Sequence, residues 1–278
     1  MVTIDEKLCT KCNLCVRVCP AQVITPGPVV TGRHCIECGQ CYAVCPSAAV
    51  TVVDFSAEEV TPGGEPVSSA ALLGLLAQRR SNRAYQPEPV AAEHLEGLLR
   101  AAALAPSAHN GRPLRAYIYT NPVLLARIRT KALAYYRKYA QVLRTPGLSL
   151  VGCTMGYTPR ELKAVGSALA ELADITATED RLFYDAPVVL AIGARRSNPM
   201  TVADGWMAMT NAMLYAETVP LAACINGYLS IAANGSRAVR AAMELPRKEH
   251  IIAAMTLGYP ARKYQRPAPR KDLPVTWK

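Results

Sequence analysis

The sequence predicts an α+β fold in two parts, a small cysteine-rich domain followed by a larger, helix-rich domain around a modest sheet. Three observations support this prediction. Eight of the ten cysteines lie within residues 9–45, and the stretch 57–67 is polar and rich in proline and glycine. Helix-periodic segments then alternate with short apolar runs over the rest of the chain. We therefore expect domains at 1–56 and 68–278, joined by a linker at 57–67.

The N-terminal domain contains the pattern C-x2-C-x2-C-x3-C-P twice, the second copy 26 residues after the first. This spacing is typical of thiolates that hold [4Fe-4S] clusters, with the fourth cysteine of each run bound to the other cluster. The ligands expected for the first cluster are Cys9, Cys12, Cys15 and Cys45, and those expected for the second are Cys35, Cys38, Cys41 and Cys19. Each copy also predicts a short strand, a loop and a helical turn. The clusters should supply much of the folding free energy of so small a domain.

Two other interpretations of the cysteines fit less well. A structural zinc site uses four ligands in two separated C-x2-C pairs, whereas these cysteines form two groups of four. A disulfide framework needs an oxidising compartment, and the first seven residues lack the apolar segment of a signal peptide. No run approaches the ~18 apolar residues of a membrane span. The expected setting is therefore the reducing cytoplasm, without a membrane.

The second domain shows alternating signals for helices and strands. Helices are predicted at 69–80, 91–104, 121–144, 202–218 and 237–245, and strands at 115–120, 187–194 and 251–257. Another helix should begin at the capping box of Thr158 and Glu161. No G-x-G-x-x-G or P-loop signature occurs, so a Rossmann domain is not supported.

Four ordered motifs in the second domain form a further pattern. They are Arg79-Arg80-Ser81-x-Arg83, Ala105-Pro106-Ser107-x-x-Asn110-x-x-Pro113, Ala222-Ala223-Cys224-Ile225-Asn226-Gly227, and Leu257-Gly258-Tyr259-Pro260 before a basic tail. On these motifs residues 68–278 resemble the FMN-dependent nitroreductase family, and residues 1–56 resemble the bacterial two-cluster ferredoxins. The resemblance departs from the family at Val219-Pro220-Leu221, and residues 145–185 match no part of its pattern.

The resemblance implies FMN in the second domain and a homodimer, because the FMN sites of this family lie at a dimer interface. Arg79, Arg80 and Ser81 are expected at the phosphate, together with Arg270 and Lys271 or Arg266 from the tail. Arg83 and Arg112 are candidates for the cation near N1 and C2=O, where the reduced ring gains negative charge. The other residues expected to contact FMN are Pro106, Ser107, Asn110, Ile225, Asn226 and Gly227. Cys153 and Cys224 are expected to be packing residues.

The predicted function is electron transfer between two [4Fe-4S] clusters and FMN to reduce an electrophilic small molecule, such as a nitro compound, quinone or activated alkene. The family resemblance implies no obligatory catalytic acid or base. Two alternatives stay open. In one, NAD(P)H reduces FMN and the clusters carry electrons outward. In the other, the protein is a non-catalytic electron carrier or redox sensor.

The charge distribution bears on partners. The net charge is +10, and residues 68–278 carry +13 of formal charge. Two clusters and a flavin phosphate would bring the total to about +4. No basic motif interleaved with aromatic residues accompanies the charge, so nucleic acid is not an expected partner. An acidic ferredoxin or flavodoxin is the expected electron partner.

Overall fold

A computed structural model describes residues 2–31, 34–52, 66–144, 158–175, 179–195 and 198–278. The chain divides into two compact units. The first unit comprises Met1–Ser68 together with Ser107–Arg112, and the second unit comprises Ser69–Pro106 and Pro113–Lys278. The second unit thus begins beside the predicted start at residue 68. The predicted end of the first domain at 56 lies outside the described residues, as does most of the linker, so these limits stay a prediction.

The described part of the first unit contains two short antiparallel sheets, two α-helical turns and a 3-10 turn at Ala108–Asn110. Strand β1 (Val2–Ile4) pairs with β4 (Val50–Val52), and β2 (Ile24–Thr25) pairs with β3 (Val29–Val30). The helical turns are α1 (Leu14–Val18) and α2 (Gln40–Val44). The core is small and contains the buried side chains of Val2, Cys15, Val23, Ile24, Cys41, Val50 and Val52.

The 26-residue repeat of the sequence extends to the backbone. Three pairs of residues at this offset have positive φ angles, namely Lys11 and Glu37 (56° and 52°), Asn13 and Gly39 (59° and 72°), and Gln22 and Ala48 (53° and 51°). Residues other than glycine rarely adopt such angles, so matched pairs mean that the chain builds the same turns twice. The predicted repeat of strand, loop and helical turn is confirmed.

The second unit consists of helices around one antiparallel sheet. Its described helices are α3 (Ser69–Gln78), α4 (Ala92–Ala103), α5 (Pro122–Arg144), α6 (Pro159–Ile175), α7 (Pro199–Ala216), α8 (Gly227–Gly235) and α9 (Arg237–Ala242). Its strands are β5 (Leu114–Tyr119), β6 (Val188–Ala194), β7 (Ala222–Ile225) and β8 (His250–Gly258), in the order β5-β6-β8-β7. Every strand pair is antiparallel. The predicted α+β fold is confirmed.

The central strand β6 is apolar along its whole length because helices cover both faces of the sheet. In β6 the alternate residues Val189 and Ala191 pack into a cluster with α5, α8 and α9. Val188, Leu190 and Ile192 point the other way and pack with α4 and α7. This explains why β6 reads as an uninterrupted apolar run instead of an alternating one.

Most predicted elements lie within a few residues of the observed ones. The capping box at α6 is confirmed, because the Thr158 amide donates to the Glu161 carboxylate (2.7 Å) and the Glu161 amide donates to Thr158 Oγ1 (3.2 Å). Sequence reasoning missed β7 and α8, treating residues 225–227 as a turn. None of the described helices is long and apolar enough to cross a membrane.

Candidate functional site

The eight motif cysteines surround two cavities in the first unit. One cavity is lined by Cys9, Cys12, Cys15 and Cys45, and the other by Cys35, Cys38, Cys41 and Cys19. Each set thus joins three cysteines of one motif to the fourth of the other, which is the grouping that the crossover pattern predicts. Among the described residues, no three candidate ligands converge on a single metal ion. Instead, four cysteines line each of the two cavities.

The surroundings of the cysteines fit a thiolate-bound cluster. The remaining lining of both cavities is largely apolar, with Ile4 and Val50 at the first and Val23 and Ile24 at the second. Backbone amides donate to two sulfurs of the first set, from Lys11 to Cys9 Sγ (3.4 Å) and from Ala49 to Cys45 Sγ (3.3 Å). Such N–H···S bonds stabilise the negative charge of a cluster and its thiolates. These contacts support the predicted assignment of the eight cysteines as cluster ligands, which stays a prediction.

Three residues expected at the flavin are grouped with the first unit. Asn110 Nδ2 donates to the carbonyl oxygens of Ile36 (3.0 Å) and Glu37 (2.8 Å), and Arg112 Nη2 donates to the Glu37 oxygen (3.1 Å). Ser107 Oγ accepts from the Arg112 amide (3.1 Å). An amide nitrogen has two hydrogens, and both carbonyls bind the same nitrogen of Asn110. The flavin contacts expected of Ser107, Asn110 and Arg112 stay predictions.

Four of the residues predicted to contact FMN, namely Arg83, Ile225, Asn226 and Gly227, line a cavity of about 230 Å³ in the second unit. Its lining residues are Arg83, Leu182, Tyr184, Cys224, Ile225, Asn226, Gly227, Tyr228, Ile231 and Thr256. The Arg83 guanidinium lies over the Tyr184 ring, 5.8 Å from its centroid. Burial alone would lower the pKa of Arg83, but Cys224 and Tyr184 outweigh it and raise that pKa. Arg83 therefore brings a permanent positive charge to this cavity.

The junction between β7 and α8 forms one wall of the cavity. Asn226 directly follows β7, and its Oδ1 accepts from the Leu229 amide (3.0 Å) as the N-cap of α8. Its Nδ2 donates to the Leu182 carbonyl (2.7 Å), so both ends of the buried amide are used within the protein. Gly227 follows, and no atom lies within 4 Å of the place where a Cβ would stand. The backbone at the start of α8 is therefore open to a flat ligand.

The turn before β6 supplies Tyr184 to the same cavity. The Asp180 carboxylate accepts from the amides of Leu182 (3.0 Å) and Phe183 (2.9 Å). Its side chain is only 4% exposed and forms an ion pair with Arg129 (3.1 Å). Tyr184 and Asp185 both have positive φ angles (58° and 53°), so the Asp180 contacts hold an unfavourable backbone in place.

The loop of residues 79–83 follows α3 and is held against β7 and β8. Ser81 forms an isolated bridge with Ala223, and the Asn82 amide donates to the Ala223 carbonyl (3.1 Å). The Tyr85 hydroxyl bonds to the Asn82 carbonyl (2.7 Å) and to Thr256 Oγ1 (2.8 Å).

Within this loop, Arg79 interacts with Glu217 at the end of α7, whereas Ser81 and Arg83 interact with Cys224 beside the cavity. Burial raises the pKa of Glu217, and Arg79 partly offsets that increase, as does the amide of Arg80. Arg79 is thus partly engaged by α7. Ser81 and Arg83 oppose the increase that burial causes in the pKa of the Cys224 thiol. Cys224 is buried, which supports its expected role in packing, whereas Cys153 lies outside the described residues.

The remaining flavin candidates lie outside the cavity lining. Pro106 is exposed after α4, and Arg266, Arg270 and Lys271 are exposed in a C-terminal segment without helix or strand. Tyr264 of the same segment acts electrostatically on Arg83. This part of the chain therefore comes near the cavity, although the phosphate contacts of its basic residues stay predictions.

Sequence reasoning missed several residues of the cavity. They are Leu182, Tyr184, Tyr228, Ile231 and Thr256. Residues 182 and 184 belong to an aperiodic stretch, and no motif marks them. Thr256 could have been found, because it is the single polar residue within the apolar run of β8.

A larger cavity of about 570 Å³ also lies in the second unit. Pro87, Pro89, Arg129, Asp180 and Asp185 contribute to its lining. None of the residues predicted to bind a cofactor lines it. Asp180 lines the larger cavity, and Leu182 and Tyr184 of the same turn line the smaller one.

Comparisons with known proteins agree with these two units. Residues 76–259 match the nitroreductase family, and residues 8–50 match the 4Fe-4S dicluster domain. The chain is 27% identical over 204 residues to the nitrobenzene nitroreductase of Ectopseudomonas oleovorans, covering 66% of this chain and 85% of the relative. The chain therefore belongs to the nitroreductase family. It is an FMN-dependent reductase of that family with a ferredoxin domain for two [4Fe-4S] clusters.

Solved structures show the same fold. The FMN-bound nitroreductase of Bacteroides fragilis has a TM-score of 0.58 at 18% identity, covering 74% of this chain and 98% of that one. The FMN-bound nitroreductase of Desulfitobacterium hafniense has a TM-score of 0.53 at 23% identity, covering 74% and 97%.

Proposed function

We propose that this protein reduces electrophilic small molecules, nitroaromatic compounds first, with electrons that enter through its two clusters. The observation that carries the proposal is the pair of four-cysteine cavities in a chain that also contains a nitroreductase-family unit. A ferredoxin domain within the same chain can deliver single electrons from an external donor to the second unit. When bound, the clusters move single electrons, and FMN converts them to two-electron chemistry.

The residues of the second unit suit a flavin. Arg83 places a positive charge at the rim of the cavity, where charge that develops on a reduced ring would be stabilised. The opening at Gly227 and the apolar side chains of Ile225 and Ile231 leave space for a flat aromatic ligand. The loop with Arg79, Arg80 and Ser81 contributes cations and a hydroxyl, the groups that bind a phosphate monoester.

The substrate class follows from chemistry and from the relative. Reduction of a nitro group to a nitroso group consumes two electrons and two protons, breaks one N–O bond and releases water. The electrons would come from a low-potential donor of the ferredoxin or flavodoxin class, and the protons from solvent. The relative from Ectopseudomonas oleovorans is named for nitrobenzene, which makes nitrobenzene the first acceptor to test.

An anaerobic assay tests this function. The full chain, purified with its cofactors, should release FMN on denaturation and contain iron and sulfide for two clusters. A reduced ferredoxin should bleach the cluster absorbance first and the flavin absorbance next, and nitrobenzene should reoxidise both. Reduction of the flavin by NADPH before the clusters would reverse the proposed direction. Absence of turnover with nitro, quinone and activated-alkene acceptors would point to an electron carrier instead.

We also propose that the second unit forms a homodimer that completes the flavin site. Its cavity of about 230 Å³ is smaller than the ~300–1,000 Å³ of typical ligand pockets. Helix α3 has no buried residue, and its side chains Leu72, Leu73 and Leu76 are 47%, 64% and 42% exposed. An exposed row of leucines on a helix is typical of an interface between subunits.

The double variant Leu73→Glu/Leu76→Glu tests the dimer. Burying two carboxylates at an interface is unfavourable, so the variant should elute as a monomer in light-scattering chromatography and retain less than half of its FMN. Val123→Glu is the control, because Val123 is 77% exposed at the start of another helix, α5. An unchanged mass for the α3 variant would remove this helix from the interface.

A further inference from the structure

We propose that Asn110 and Arg112 hold the loop of the second cluster and raise its reduction potential. This inference rests on the proposed function, since it concerns the clusters through which electrons pass. It assigns a cluster-positioning role to two residues whose motif predicted a flavin contact.

The first support is the position of the hydrogen-bond acceptors. The carbonyls of Ile36 and Glu37 lie in the loop between Cys35 and Cys38, two ligands of the second cluster. Three donor contacts of 2.8–3.1 Å reach these two carbonyls from Asn110 and Arg112. The donors are fixed in turn, because Arg112 Nε contacts Asn110 Oδ1 (3.5 Å) and the Arg112 amide binds Ser107 Oγ.

The second support is the backbone of the donor segment. His109, Asn110 and Arg112 have φ angles of 53°, 54° and 43°. Several non-glycine residues in the left-handed region are unfavourable, and they persist only where surrounding contacts hold them. The contacts with the cluster loop are of that kind.

The third support is an asymmetry between the two repeats. In the first repeat Arg17 Nη2 reaches the carbonyl of Cys12, a ligand of the first cluster (3.4 Å). The equivalent position of the second repeat, 26 residues later, is Ala43, which offers no cation. Arg112 supplies the second loop with a guanidinium from a distant part of the chain. Among the described residues, an arginine thus donates to a backbone carbonyl in each cluster loop.

The expected effect on the potential follows from charge. A cluster gains one negative charge on reduction, and a nearby guanidinium stabilises the reduced state more than the oxidised state. The loop of the second cluster also contains Glu37, where the first has Lys11. Arg112 therefore brings a positive charge to a loop whose corresponding side chain is acidic, and its removal should make the second cluster harder to reduce.

Redox titration of the full chain, followed by electron paramagnetic resonance, tests the proposal. Arg112→Gln should decrease the equilibrium constant for reduction of the second cluster three- to tenfold. At 59 mV per tenfold, this lowers its midpoint potential by about 28–59 mV. The first cluster should keep its potential. Asn110→Ala should lower the midpoint potential of the same cluster. Arg112→Lys keeps the charge and should retain most of the wild-type potential.

Arg17→Gln is the matched control, because it removes the arginine of the other loop. It should lower the potential of the first cluster and leave the second unchanged. The Cys45→Ser background, in which the second cluster is expected to remain alone, assigns the signals. Loss of the second cluster alone in Arg112→Gln would also support the holding role, and Arg112→Lys would then report the potential.

Equal shifts of both clusters, or no shift of either, would overturn the proposal. A shift in the flavin potential without a shift in the second cluster would mean that Arg112 acts on the flavin and not on the cluster. The titration needs neither turnover nor bound FMN, so it gives a result even if the proposed substrate class is wrong. Absence of iron from the purified chain would refute the proposed function itself.

Discussion

Cys45→Ser removes the first cluster and leaves the second intact, although Cys45 belongs to the second cysteine motif. This result is expected because Cys45 lines the cavity of Cys9, Cys12 and Cys15. Serine is a much poorer ligand for iron than a thiolate, which is soft and charged. The Cys45 sulfur also accepts a hydrogen bond from the Ala49 amide (3.3 Å) and lies 3.7 Å from Ser47 Oγ, so its loss removes a stabilised ligand.

The measurement combines iron content with electron paramagnetic resonance of the reduced protein. Cys45→Ser should lose about half of its iron, on the expectation that eight thiolates hold two clusters. Cys19→Ser should lose the same amount but remove the other cluster's signal, since Cys19 lines the second cavity. Cys224→Ser is the control and should keep both clusters. If Cys45→Ser and Cys35→Ser removed the same signal, the crossover grouping would be wrong.

Asn226→Ala should destabilise the second unit and release its FMN. The substitution removes the N-cap of α8, which costs about 0.5–2 kcal/mol, and leaves the buried Leu182 carbonyl without its donor, which costs about 1–3 kcal/mol. The combined loss of about 1.5–5 kcal/mol corresponds to a decrease in Tm of about 3–20 °C for a unit of this size. Scanning calorimetry of the full chain, together with the FMN content, gives both quantities.

Two variants separate the contributions at Asn226. Asn226→Ser keeps an oxygen that can cap α8 and should recover about 0.5–2 kcal/mol of the loss. Asn234→Ala provides a matched structural control at the other end of α8, where Asn234 bonds in the same way to the backbone of Ile251 (2.7 and 3.0 Å). It should lower the Tm without releasing FMN. Equal FMN loss in both alanine variants would mean that the junction acts only through stability.

The fold was predictable where a local pattern determined it. The capping box of Thr158 and Glu161 set the start of α6, and the buried runs of β6 and β8 set the central strands. The short strand β7 and helix α8 were missed for physical reasons. β7 has only four residues, and α8 begins at Gly227 and contains few strong helix formers, so its stability comes from Asn226 and from packing.

The site was predictable to the extent that its chemistry lies in contiguous motifs. The cysteine spacing predicted the grouping around each cavity, and the third flavin motif led to the wall at Ile225–Gly227. Tyr184 was out of reach because its position depends on Asp180, Arg129 and a strained turn. The contacts of Asn110 and Arg112 were also out of reach. Their partners are backbone carbonyls, which every residue has and no sequence pattern marks.

The inclusion of Ser107–Arg112 in the first unit has a consequence for how such a protein is made and modified. During synthesis all eight motif cysteines leave the ribosome before Asn110 and Arg112, so the three hydrogen bonds from these two residues to the second cysteine loop can form only afterwards. A chain cut after Ser68 keeps all eight motif cysteines but lacks those three bonds. On the proposed role of Asn110 and Arg112, moving this ferredoxin domain into another reductase would call for residues 107–112 as well as residues 1–68.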